Sequence, residues 1–116
     1  MRPEGFIPAR FSFTPAARSF IEKVRNDAEN RERQPAVALS VAWGTYTNND
    51  GEARQGVVVG LYMKSEVTDA IASWIQDVDG LGVIFNTVPD LAPNFDGKVI
   101  DYAETRWFFL RDPVQS

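Results

Sequence analysis

Residues 35–63, PAVALSVAWGTYTNNDGEARQGVVVGLYM, decide the fold class. Val37, Leu39, Val41 and Trp43 alternate with Ala36, Ala38, Ser40 and Ala42. A period of two puts the large residues on one side of a strand and the small ones on the other. Thr47-Asn48-Asn49-Asp50-Gly51 follows, and Asn, Asp and Gly tolerate the left-handed backbone that a tight reversal needs. A second strand then runs from about Gly56 to Met63, so the stretch predicts a long β-hairpin.

On the N-terminal side the period changes. Ala17, Phe20, Ile21, Val24 and Ala28 recur at the spacing of one helical face,. Thr14 suits the N-cap, because its hydroxyl can accept from an orphan backbone N–H, and Pro15 suits the first helical position, where no N–H is needed. An amphipathic helix from about Pro15 to Glu32 is predicted, with Pro35 as its stop,.

On the C-terminal side, Thr68 to Asp79 admits two readings. Ile71, Trp74, Ile75 and Val78 have helical spacing, with Thr68 as a cap and Gly80 as a terminator, so the local signals favour a helix, and the other reading, a strand, follows only from a family resemblance,. Val83-Ile84-Phe85 is a short apolar strand between Gly82 and Asn86; residues 90–97 are loop; Lys98–Ala103 and Trp107–Leu110 are two further strands,. One helix followed mostly by strands, without βαβ alternation, predicts a mainly β, α+β fold: an antiparallel or mixed β-sandwich with the helix packed on it.

Composition narrows the possibilities. The 116 residues are enough for one domain, 1–116, with a real core, and 44% hydrophobic with 24% charged residues is ordinary globular usage,. Net charge is −4, and the basic residues Arg25, Arg31 and Arg33 are interleaved with Asp27, Glu29 and Glu32. Without a basic stripe to displace phosphate counterions, no nucleic-acid partner is expected. No run of about 18 apolar residues points to a membrane span. The opening MRPEGFIPARFSF lacks a signal-peptide apolar stretch, so a cytoplasmic location is the expectation,.

Several segments resemble the HesB-like, A-type iron–sulfur carrier family. Phe13-Thr14-Pro15-Ala16-Ala17 is similar to that family's "(I/L)TxxA" opening, and residues 37–41 to the strand before its first cysteine. Phe95-Asp96-Gly97-Lys98-Val99-Ile100-Asp101-Tyr102 resembles "LxGxxIDY", and residues 107–113 stand in place of "GFxFxNP". The likeness covers about residues 11–113. It implies a HesB-like sandwich or pseudo-barrel of mixed sheets, a strand between Thr68 and Asp79, and association into dimers or larger assemblies.

The resemblance also implies three cysteine ligands, one in the loop after the Leu39 strand and a Cys-x-Cys pair beyond the terminal motif. Here the first region reads Ala42-Trp43-Gly44-Thr45-Tyr46, the sequence ends at Ser116, and there is no cysteine or histidine anywhere. All three positions are therefore expected to be replaced or missing. Iron–sulfur clusters are held by thiolates, with histidine the usual substitute, so cluster carriage does not transfer and no cofactor or metal is expected.

The remaining chemistry is thin. Ser40, Ser65 and Ser73 have no histidine to activate them,. Gly56, Gly60, Gly80 and Gly82 form no phosphate-loop pattern,. Asp77 and Asp79 could bind a hard cation or serve as an acid/base pair, although an acidic turn is the plainer reading,. Asp101 lies between Ile100 and Tyr102, where a buried carboxylate would need Arg106 or Arg111 as a partner,. Trp43, Tyr46, Tyr62, Trp74, Trp107, Phe108 and Phe109 exceed what so few strands can bury, leaving some for a contact patch,.

These readings lead to a cysteine-free HesB-like protein, non-enzymatic, acting as a binding or accessory protein related to cluster assembly, with self-association or a protein partner. The alternative is a domain recruited to bind a small molecule, or to do carboxylate chemistry, at the pocket near Trp43–Tyr46. The candidate surface for ligand or partner comprises Trp43, Thr45, Tyr46, Asp101 and Trp107.

Overall fold

Thr14 caps the helix as its position suggests: its Oγ1 accepts the Ala17 N–H at 3.2 Å, and α1 runs Pro15–Glu32. The helix ends where Arg33 turns left-handed (φ 57°) and returns its N–H to the Glu29 carbonyl at 2.8 Å. The computed structural model describes residues 3–47 and 50–113. Ahead of the helix, the short strand β1 (Ser12–Phe13) leads into the cap.

The hairpin forms from β2 (Ala36–Thr47) and β3 (Ala53–Met63), with Leu39 opposite Leu61, Val41 opposite Val59 and Trp43 opposite Val57. Leu39 and Val41 are buried, as the alternation predicts, but Val37 is 38% exposed. A register shift between Ala36 and Ala38 explains this, since a bulge resets which face successive side chains take,. In the connecting turn, Asp50 Oδ1 accepts the Glu52 N–H at 2.9 Å and Gly51 has φ 83°. Asn48 and Asn49 of the predicted turn lie outside the described residues.

The ambiguous stretch contains both predicted structures. Thr68 does cap a helix, its Oγ1 accepting the Ile71 N–H at 3.2 Å, but this helix, α2, covers only Asp69–Ala72. The chain then enters β4 (Ile75–Val78), which pairs antiparallel with β5 (Leu81–Asn86). Asp79 (φ 53°) and Gly80 (φ 82°) make the reversal. Two consecutive positive-φ residues are what a two-residue hairpin of right-handed twist requires, so Gly80 ends a strand rather than a helix.

β5 lies parallel to β2, giving a four-stranded sheet in the order β3-β2-β5-β4. A 3-10 turn at Ala92–Phe95 then leads to β6 (Val99–Ala103) and β7 (Trp107–Arg111), which with β1 form a second sheet in the order β1-β6-β7. Each sheet contains one parallel and at least one antiparallel pairing. The fold is therefore mixed α+β: mostly strands in two mixed sheets, with one long helix.

One apolar cluster reaches both sheets and α1, with Val41, Val83, Phe95 and Ile100 fully buried. Phe85 meets Phe11 at 5.1 Å and Phe95 at 4.9 Å between ring centroids, both edge to face, the geometry that opposed ring quadrupoles favour,. No helix among the described residues is long and apolar enough to cross a membrane.

Candidate functional site

The apolar stripe of α1 is only partly covered. Ala17, Ile21 and Ala28 are buried, whereas Val24 is 38% exposed and Phe20 is half-buried. These two side chains open onto a cleft of about 420 Å³ between α1, β3 and β7. That volume falls within the range of small-molecule sites.

Three walls define the cleft. α1 supplies Phe20, Ile21 and Val24; the opposite wall is the continuous run Val57–Leu61 of β3; β7 supplies Trp107 and Phe108. Tyr46 and Thr47, from the end of β2, also line it. Tyr46 lies across Gly56: a Cβ built on that glycine would stand 3.4 Å from the Tyr46 ring. Among the described residues no charged side chain lines the cleft.

Rings from α1, β6 and β7 pack against one another beside the cleft. Phe20 stacks on Tyr102 at 3.8 Å and 11° between planes, and it meets Phe108 edge to face at 5.7 Å. Trp107 reaches Phe20 at 6.3 Å, remains 43% exposed, and adopts φ 60°. That left-handed backbone is costly for a residue with a bulky Cβ substituent. Arg106, in the turn before Trp107, lies 3.9 Å over the Phe109 ring and so is not the partner of Asp101.

The structure places the five predicted site residues in different surroundings. Tyr46 and Trp107 come together at the cleft. Trp43 instead turns inward, edge to face with Phe95 at 5.9 Å, and Thr45 is exposed on β2. Asp101 belongs to a separate network: Oδ1 accepts from the Thr14 hydroxyl at 2.7 Å and the Tyr102 N–H at 2.8 Å, and Oδ2 from Arg111 Nε at 2.7 Å. Burial alone would raise this carboxyl's pKa. The Thr14, Arg111 and Tyr102 hydrogen bonds, with the Arg111 charge, outweigh it and hold the group below its ordinary range,.

Asp77 and Asp79 do not converge. Asp77 is exposed on β4, while Asp79 Oδ2 accepts the Phe13 N–H at 3.2 Å and its carbonyl accepts from Arg18 Nη1 at 2.6 Å. Among the described residues no three acidic side chains are grouped to hold a metal ion. An iron–sulfur cluster does not fit this donor set, because the whole chain offers neither thiolate nor imidazole,.

Phe20, Ile21, Val24, Leu39 and the Val57–Leu61 run are cleft residues that the sequence places only on a helix face or a strand. The signal for Val24 was present, since it sits at the margin of the α1 stripe. No protein-family model matches the chain, and no curated protein matches it.

Proposed function

We propose that this chain is a non-catalytic binding protein, a cysteine-free relative of the HesB-like carriers that holds an uncharged apolar molecule between α1, β3 and β7. The observation that carries the proposal is the cleft itself: about 420 Å³, walled largely by aromatic and aliphatic side chains, with no charged side chain among the described residues that line it. Leaving such rings facing water forfeits about 25 cal/mol for each Å² of apolar surface, which a matching ligand would recover.

The kinship half of the reading is supported by where its motifs meet. Thr14 of the opening segment, Asp101 of the "LxGxxIDY"-like segment and Arg111 of the terminal segment form one hydrogen-bonded network. Gly97 of the middle segment has φ 72°, and Phe95 and Ile100 are fully buried. Residues of the resemblance thus answer to specific physical demands of the fold. The accessory role in cluster assembly rests on that resemblance.

Titration with Nile red, a neutral apolar dye, tests the binding reading. The expected result is saturable fluorescence enhancement, lost in Val24→Lys, whose exposed position lets the chain fold while placing a charge in the cleft. Unsaturable enhancement, or enhancement equal in the variant, overturns it.

A further inference from the structure

The wall formed by β3 differs chemically from the other two. Val57, Val59 and Leu61 face the core side of the sheet, opposite Trp43, Val41 and Leu39, so Val58 and Gly60 belong to the other face. All five nevertheless line the cleft, and Gly60 has no side chain to contribute. The cleft is therefore walled by the margin of the strand, with main chain exposed to it.

β3 is the outermost strand of its sheet, and among the described residues no strand pairs with its free side. In an antiparallel ladder, alternate residues of an edge strand turn their N–H and C=O away from the partner. The Val57–Leu61 run thus directs peptide donors and acceptors toward a cleft whose described side chains are otherwise hydrocarbon, apart from the Tyr46 and Thr47 hydroxyls and the Trp107 indole N–H,. Polar groups that lose water without gaining a partner are costly.

We infer that the cleft selects neutral ligands carrying an amide, whose N–H and C=O pair with the free edge of β3 while an apolar body packs against Phe20 and Trp107. This inference rests on the binding reading above. A carboxylate of the same skeleton would bring a charge to a site where no cation stands among the described wall residues, and an ester would supply acceptors but no donor,.

The test compares cinnamamide, methyl cinnamate and cinnamate at neutral pH, by thermal shift and by titration of intrinsic fluorescence. The amide is expected to bind tightest, with the carboxylate weaker by about tenfold or more. On adding cinnamamide to isotopically labelled protein, amide-proton shifts are expected within residues 57–61. Carboxylate or ester binding as tightly as the amide, or shifts confined to α1, overturns the inference while leaving an apolar cleft. Binding of none of the three overturns it and counts against the cleft reading as well.

Discussion

The Thr14 hydroxyl donates to Asp101 Oδ1 at 2.7 Å while its oxygen accepts the Ala17 N–H at 3.2 Å. One side chain thereby caps α1 and ties it to β6, 87 residues further along the chain. Arg111 Nε, at 2.7 Å from Oδ2, brings β7 into the same junction.

That junction makes stability depend on acid. Asp101 ionises at lower pH in the folded chain than in the unfolded one, so its contribution is complete above the unfolded value of about 4 and disappears as pH falls through the folded value,. Asp101→Asn is expected to cost about 1.5–3 kcal/mol at neutral pH. The gap to the wild type should close on acidification. Asp50 and Asp112 are also held low, chiefly by the Glu52 N–H and by Lys98, but both remain in the variant, so the difference curve isolates Asp101. Urea melts across the acid range measure it; a gap independent of pH would contradict this account.

Phe95 is fully buried and meets Phe11, Trp43 and Phe85 with centroids at 5.6, 5.9 and 4.9 Å. Phe95→Ala should remove about 3–5 kcal/mol, read from the denaturation midpoint at unchanged slope.

Trp107 couples an unfavourable backbone to a useful ring. Trp107→Ala and Trp107→Gly both remove the indole from the cleft wall and should weaken Nile red binding alike. Only glycine tolerates φ 60° without strain, so the glycine variant should be more stable than the alanine variant by about 1 kcal/mol,. Equal melting temperatures would argue against strain at this position.

Anaerobic reconstitution with iron and sulfide should leave no visible absorbance on the protein after gel filtration, because the chain has no thiolate or imidazole donor,. A cluster surviving the column would overturn the expectation that cluster carriage is lost.

Local chemistry was the legible part of the fold. Thr14, Pro15 and the Ala17–Ala28 periodicity determine α1 over its 18 residues because cap, first turn and apolar stripe all lie within it. Two features escaped for lack of a local sign or of weight given to one. The bulge that exposes Val37 depends on how β2 registers with β3, a relation between separate segments. The Asp79-Gly80 reversal was signalled, as an Asp-Gly pair between apolar runs, but the helical spacing of Ile71 to Val78 masked it. Of the cleft, Tyr46 and Trp107 could be picked out as surplus rings. Their meeting with Phe20 could not be foreseen, since those three residues come from three elements that only the finished packing brings together.

The free margin of β3 also bears on solubility. An 11-residue strand with a Val57-Val58-Val59 run, no proline and no lysine has little to stop another extended chain from adding to it,. Phe20, Trp107 and Phe108 line the same cleft and occupy the space beside that margin. Stripping them away would therefore exchange a ligand site for a nucleus of aggregation.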